Sequence, residues 1–367
     1  MQFFDGRNYR INKVLLSCVG QWPYQTNRSS NAIIIIIVSL AGTQIIAKIC
    51  GLLSIHNFDL FIDSLSPLVV DLGCAIKLVT CVLRATEIRE LFDQIQYDWQ
   101  LLITSPYIKT LSNYAQGGRT FTLIYAGSFY SALTFFMLVP LQQLLLDSSL
   151  NASTRPLLHQ VEYYIDMEKY YFPILIHGYL TAIICVSISV AADTMYVIVV
   201  QHICGLFMII GQQLDNLIKT DNLEIDLNPP IKDDKPYENV VNSIRTHKKA
   251  LRRYGTSALF AVTNMDKPEE FFRQITFSCA LLVHLFFESF QAQRLIDHSS
   301  LVHTSLTSVP WYQTSSRTRK ILIFMIMKTR EPCVLTAGKM YVISMDTFST
   351  IVRTSVSYFT MLRSVYN

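Results

Sequence analysis

Between Thr120 and Leu146 the chain carries no charged side chain. An α-helix rises 1.5 Å per residue, so about 20 apolar residues cross the roughly 30 Å hydrocarbon core of a bilayer. This stretch is long enough. In lipid only helices and closed barrels satisfy their own backbone hydrogen bonds, which narrows the fold at once. Two further stretches behave alike. Ser29 to Ala47 is uncharged and continues past Lys48 to Leu53. Tyr171 to Ala192 is followed, after Asp193 alone, by the uncharged Thr194 to Leu214. These last two together exceed one crossing, which predicts a single long helix over 171–214 that projects into the cytosol.

Composition agrees. Hydrophobic residues make up 51% and charged residues 16%, against about 25% charge in soluble chains. Disorder, nucleic-acid binding and an ordinary cytosolic enzyme are excluded. A net charge of +4 is too close to balance to imply a polyanionic partner. The eight cysteines show no CxxC spacing and most lie in apolar runs, so they read as small buried hydrophobes. Near the start, Val14 to Gly20 is a short apolar run ended by Gln21, Trp22 and Pro23. It predicts a short amphipathic helix at the membrane surface rather than a cleavable leader.

Three weaker stretches complete the set. Leu65 to Leu83 contains Asp71 and Lys77, Phe271 to Phe290 contains Arg273 and Glu288, and Tyr341 to Leu362 contains Asp346 and Arg353. Charges inside spans face a bundle interior or water rather than lipid. Asp71 and Lys77 are six residues apart, off the i,i+4 register of a shared face, so an interhelical pair or a snorkelling group is expected of them. The intervening Leu217 to Arg253, rich in Asp, Glu, Pro and Lys, reads as a solvated loop. After it comes Tyr254 to Met265, only half the length a crossing needs.

The positive-inside rule orients the chain. Of the 31 Lys and Arg residues, 23 fall in the first thirty residues and in 84–119, 211–253 and 291–339, and 4 in the segments between. The N-terminus is therefore expected in the cytosol and the C-terminus outside, provided 254–265 crosses. The sequon at Asn151 then lies outside, a glycosylation candidate, whereas that at Asn27 does not.

No HExxH, P-loop, GxGxxG or GxSxG motif occurs, and neither a metal nor a cofactor is expected. His177, His202 and His284 lie singly in apolar runs, where hydrogen-bonded core positions are expected. A receptor, channel or carrier remains.

The C-terminal stretch PWYQTSSRTRKILIFMIMKTREPCVLTAGKMYVISMDTFSTIVRTSVSYFTMLRS resembles the seventh-helix region of insect odorant receptors. FDGRNYRINKVLLSCVGQWPYQ, of hymenopteran style, ADTMYVIVVQHICGLF, DKPEEF and QRLIDHS carry the likeness along nearly the whole chain. The ending reads SVSYFTMLR rather than the TYhhhhhQ of gustatory receptors. That resemblance implies an all-α, multispan transmembrane helix bundle of seven-helix insect chemoreceptor architecture. It also implies assembly with a shared odorant co-receptor into a heterotetrameric, odorant-gated cation channel in the plasma membrane of olfactory neurons. The expected organisation is a cytosolic segment 1–31, a bundle over 32–290 (helices 32–53, 65–83, 120–146, 171–214, 254–265 and 271–290), a cytosolic loop and anchor over 291–340, a pore helix over 341–362 and a tail 363–367. The shortened fifth span departs from the family. A gustatory-type receptor, a secondary transporter and a non-functional variant of an odorant receptor remain as alternatives.

By the same resemblance the odorant pocket lies in the outer half of the bundle. Leu68 and Leu72, Tyr130, Thr134 and Met137, His177 and Thr181, and Ser278 and Leu282 are the candidates. Each group holds neighbours three or four apart that share a helix face. Ser357, Met361 and Val365 stack at a spacing of four on the last helix, Met361 at the expected hydrophobic constriction and Val365 near the outer mouth.

Overall fold

The computed structural model describes residues 2–55, 58–146, 157–166, 169–219, 268–309, 316–337 and 341–366. Among them the chain is helical almost throughout. α1 (Arg10–Cys18), α2 (Asn27–Leu53), α3 (Phe58–Leu83), α4 (Ala85–Leu102), α5 (Ile108–Leu146), α6 (Tyr171–Lys219), α7 (Pro268–Ser308), α8 (Ser316–Thr329) and α9 (Met345–Tyr366) follow in order. A two-residue antiparallel ladder, β1 (Thr336–Ala337) with β2 (Tyr341–Val342), precedes α9. The architecture is the all-α transmembrane bundle that the apolar runs predict. Residues 254–265, where the short fifth span is expected, and Asn151 lie outside the described residues.

The helices outrun their apolar stretches. α5 has 39 residues, α6 has 49 and α7 has 41, lengths of about 58, 74 and 62 Å at 1.5 Å per residue. An apolar run records only the part of a helix that meets lipid, and polar contacts carry these helices on beyond it. The Thr110 hydroxyl of α5 donates to Gln212 of α6 at 3.0 Å, and the Tyr114 hydroxyl meets His298 Nε2 of α7 at 2.7 Å. Part of the expected loop 291–340 is thus a continuation of α7, and Leu214, Val302, Leu306, Val309 and Leu322 join α6, α7 and α8 in one apolar cluster. α9 starts at Met345 rather than 341, because Tyr341 and Val342 are held in the ladder and Ile343 N–H donates to the Leu335 carbonyl at 2.7 Å. Ser344 then caps the helix, its Oγ accepting from Thr347 N–H.

α6 is the central post, packed against α1, α2, α3, α5 and α7. Its middle, from Val190 to Val200, is buried almost continuously apart from Ala192. α2 is the opposite case. It is apolar all round, yet only Ile37, Gln44, Ala47, Lys48 and Gly51 are buried. Those positions form one stripe toward the bundle, leaving Ile35, Ile36, Val38, Ile46 and Ile49 for lipid.

α1 is amphipathic and is closed by a Schellman turn. Gln21 N–H donates to the Leu16 carbonyl and Gly20 N–H to that of Ser17, with Gly20 at φ 72°. Phe4, Tyr9, Trp22 and Phe92 form a buried aromatic cluster with Tyr24 and Trp99 at its edge, which fastens the N-terminal segment to α4. All eight cysteines are free thiols; Cys74, Cys81, Cys185 and Cys204 are buried, while Cys18, Cys279 and Cys333 are exposed.

One glycine sets the contact between α2 and residues 160–162. A Cβ on Gly51 would stand 3.1 Å from the backbone of Gln160 and Val161, the segment whose Glu162 N–H donates to the Ala47 carbonyl. Backbone yields less than a side-chain tip. Gly51→Ala is therefore expected to destabilise the chain by about 1–3 kcal/mol, read as a lower midpoint in thermal unfolding of the detergent-solubilised protein.

Candidate functional site

Five of the charges that interrupt the apolar runs, Lys48, Asp71, Lys77, Asp193 and Glu288, meet inside the bundle. Lys48 of α2 reaches Asp71 of α3 at 2.6 Å, and Lys77 of α3 reaches Asp193 of α6 at the same distance. Asp71 and Lys77 are each paired across helices, though not with one another. Asp71 also accepts from the Cys185 thiol of α6 at 3.5 Å.

The second pair heads a larger cluster. Lys77 lies 3.9 Å from Glu288 of α7. The Tyr125 hydroxyl of α5 donates to Asp193 Oδ2 and stands 2.7 Å from His284 Nδ1. His284 Nε2 faces Glu288 Oε1 at 3.4 Å, one helical turn along α7. Four helices, α3, α5, α6 and α7, thus place one polar side chain or more each at a single buried point. The Tyr125 ring stacks on Phe287, 4.2 Å between centroids, which walls this point with aromatic surface. Asp193, His284 and Glu288 bring one ligand atom each within 4.8 Å of the others, a spacing compatible with a metal ion. Lys77, 3% exposed, already supplies a cation to both carboxylates, and a dication beside it in low dielectric would be repelled. The cluster is built around a lysine.

Polar side chains continue along α6 toward its C-terminal end. Asn12 of α1 donates to Thr122 Oγ1 and to the Thr194 carbonyl, both at 3.1 Å. Gln201 donates to Gln291 of α7 at 2.7 Å, and His202 Nε2 meets Asp98 of α4 at 2.9 Å. A narrow cavity between Tyr9, Gly118, Arg119, Gln201 and His202 lies beside these groups. Gln201 Oε1, His202 Nδ1 and Arg119 Nε have no hydrogen-bond partner among the described residues. A water molecule in the cavity would offer two donors and an acceptor to such a set.

The candidate pocket residues divide between two sides of α6. The Tyr130 hydroxyl bonds Ser187 Oγ at 3.0 Å, and the Met137 carbonyl accepts from Tyr179 at 3.0 Å; these face α5. His177 turns the other way, its Nε2 3.1 Å from Thr43 of α2 and its Nδ1 2.7 Å from Tyr163 of the outer segment. Residues 177 and 179 are about 200° apart around a helix of 3.6 residues per turn, so they cannot face the same neighbour. Burial pushes the Tyr163 hydroxyl up to about 12, so it remains a donor, to Gln44 at 2.8 Å. Thr181 is buried, with its hydroxyl spent on the His177 and Gly178 carbonyls. Thr134 donates to the Tyr130 carbonyl. Leu68 is buried, whereas Leu72 and Leu282 are exposed. Ser278 Oγ is buried and has no partner among the described residues. Ser187, Tyr163 and Tyr179 were not on the list drawn from sequence. Ser and Thr recurring along an apolar helix mark Ser187, and nothing in the sequence pattern marks Tyr163 or Tyr179.

On α9 the residues Arg353, Ser357 and Met361 succeed one another every fourth position, all exposed. Ser357 Oγ donates to the Arg353 carbonyl at 3.0 Å. Val365 falls in the last turn of this helix.

Three helical stretches are long and apolar enough to cross a membrane by composition: Asn27–Leu53, Ile108–Leu138 and Tyr171–Leu214. The family profile described as 7tm odorant receptor matches the chain in two segments, 57–257 and 253–356. Among relatives, odorant receptor 9a of Drosophila melanogaster is 24% identical over 68% of this chain and 67% of its own length. Odorant receptor 13a of the same species is 24% identical over 64% of this chain and 63% of its own. The chain thus spans about two thirds of the length of these relatives. The olfactory receptor OR5 of the insect Machilis hrabei, solved in complex with eugenol, superposes with a TM-score of 0.83 over 97% of both chains at 12% identity.

Proposed function

Because the chain belongs to the 7tm odorant receptor family, a family of multi-pass membrane receptors and not of enzymes, we propose that it binds a volatile small molecule in the outer half of the bundle and, with the shared co-receptor, opens a non-selective cation pore. The observation that carries this reading is the family match, which runs from residue 57 to residue 356. The chain's ending separates it from gustatory receptors. Its residence in the plasma membrane of olfactory neurons, with the N-terminus in the cytosol, rests on the same membership and on the Lys and Arg distribution.

Two structural features support the site assignments. Ser278 offers a buried hydroxyl to a ligand, beside apolar surface from Leu282 and Phe286. Volatile ligands are held mainly by apolar burial with few oriented polar groups, and we assign Tyr130, Thr134 and Met137 of α5 to the same pocket. For the pore, Arg353, Ser357 and Met361 are exposed along one face of α9, which suits a face that lines a shared pore. A ring of Met361 side chains closes such a pore by dewetting.

The test is co-expression of the co-receptor and this chain, its segment 254–265 lengthened to a full crossing, in a heterologous cell, with current recorded against a panel of volatiles that includes eugenol. An odorant-evoked cation current that needs both subunits supports the reading. Substrate movement by this chain alone would replace it with a carrier. In a conducting version, Met361→Ser is expected to raise current without odorant several-fold, and unchanged basal current at normal surface expression places the gate elsewhere.

A further inference from the structure

α1 slopes into the bilayer rather than lying along its surface, and its contacts fix the depth. At its start, Tyr9 shares the narrow cavity with Arg119 of α5 and with Ile198 and His202 of α6. Arg119 is the last charge before the uncharged run from Thr120 to Leu146, so this end of α1 stands at the polar boundary. Asn12 bonds Thr122, inside that run, and the Thr194 carbonyl of α6, both at 3.1 Å. Past the other end, Gly20 lies against α2. The Ser30 hydroxyl donates to the Gly20 carbonyl at 2.6 Å, and a Cβ on Gly20 would stand 3.2 Å from Ile34. Ile34 lies beyond Arg28, the charge that opens α2. From Tyr9 to Gly20 the chain therefore passes from headgroup level into the apolar layer.

The outward face of the helix changes chemistry along the same line. Asn12 and Leu16 are buried against the bundle, whereas Arg10, Val14 and Cys18 are exposed. Residues four apart drift by only about 40° around a helix, so these three form one stripe, opposite the buried pair. Arg7, exposed just ahead of the helix, adds a second guanidinium at the boundary end. Lys13 is paired with Asp5 at 2.5 Å, and Asp5 is the only acidic residue among the first thirty. Arg7 and Arg10 enter no ion pair among the described residues. Two cations thus stand above an apolar strip in which Val14 is 53% exposed. A water-soluble acidic partner would match the cations and leave the strip uncovered. A phospholipid matches both in the same order, with its headgroup at the boundary and its acyl chain below.

We propose that the outward face of α1 is a binding site for an anionic phospholipid, with the headgroup on Arg7 and Arg10 and an acyl chain along Val14 and Cys18. The guanidinium fork takes two phosphate oxygens at once, which an ammonium cannot do. Arg10 and Cys18 are about 12 Å apart along the helix, so the strip accompanies the upper part of a chain. Through Asn12 the lipid bears on α5 and on α6, one residue from Asp193. Placing this lipid in the cytosolic leaflet rests on the orientation proposed above.

The experiment uses the full chain in a neutral detergent. Native mass spectrometry compares retention of dioleoyl phosphatidylserine with that of dioleoyl phosphatidylcholine, whose acyl chains are the same. The wild type is expected to prefer the anionic lipid, by about fivefold for each arginine. Arg7→Gln with Arg10→Gln should lower that preference roughly 25-fold on the same scale. Lys328→Gln, an exposed cation at the end of α8, should leave it unchanged. Raising salt from about 0.05 to 0.5 M should weaken the wild-type preference, a readout that needs no variant. Equal retention of the two lipids by the wild type overturns the proposal, as does a preference that the double variant keeps. An equal loss in Lys328→Gln overturns it too, because the attraction would then belong to net charge and not to α1. Micelles have no leaflets, so these outcomes are independent of the orientation, which a glycosylation reporter reads separately.

Discussion

Replacing Asp193 by asparagine is expected to cut the surface population of this receptor at least tenfold. Among the described residues Lys77 would keep Glu288, at 3.9 Å, as its only counter-charge, and the single amide oxygen could not accept from both Lys77 and Tyr125 as the two carboxylate oxygens do. Removing one partner of a buried ion pair costs about 3–5 kcal/mol, against a total stability of about 5–15 kcal/mol. Surface biotinylation and size-exclusion profiles of a tagged protein read the loss. Adding Lys77→Met to the same chain should restore much of it, because no unpaired ammonium is then left in the interior. Asp193→Asn alone at wild-type levels would mean that the cluster does not hold α3 to α6.

An equally large effect is expected from residues 254–265. Twelve residues of helix rise about 18 Å against a core of about 30 Å, and tilting or bilayer thinning recovers only a few ångströms. The family match divides at this place, one segment ending at 257 and the next beginning at 253. The chain as written is expected to give no odorant current, and restoring a crossing of about twenty apolar residues should produce one. A C-terminal glycosylation reporter tests the topology directly. If the short segment does not cross, the reporter stays unmodified in the present chain and is modified once the span is lengthened. Robust odorant currents without added residues would overturn this expectation.

The bundle was legible because lipid imposes a length and a polarity on whatever crosses it. Thr120 to Leu146 and the pair of stretches on either side of Asp193 needed no partner to be read. The extension of α6 was readable as the overlong 171–214 stretch, but those of α5 and α7 were not, since Thr110 and Tyr114 are ordinary polar residues until the neighbouring helix supplies the other half of each bond. The polar core was legible only in part. Every one of Asp71, Lys77, Asp193 and Glu288 stood out as an interruption, but spacing along one helix says nothing about which helix lies opposite. The candidate pocket shows the same limit. Helical periodicity groups His177 with Thr181, yet the face toward α5, which belongs to Tyr179 and Ser187, depends on where α6 is rotated by its packing.

The position of Asp193 has a mechanical consequence. It lies 22 residues from the start of α6 and 26 from its end, about 33 Å and 39 Å along the axis. The Lys77 ion pair of this helix is therefore close to its midpoint, with a continuous rod on either side. A rod held at its centre works as a lever about a fulcrum. Tilting it by about 5° carries its two ends roughly 3 Å in opposite directions, given those arm lengths. A force that pushed one end of α6 aside would thereby draw the other end the opposite way, with almost no loss of travel and no need for any part of the rod to bend.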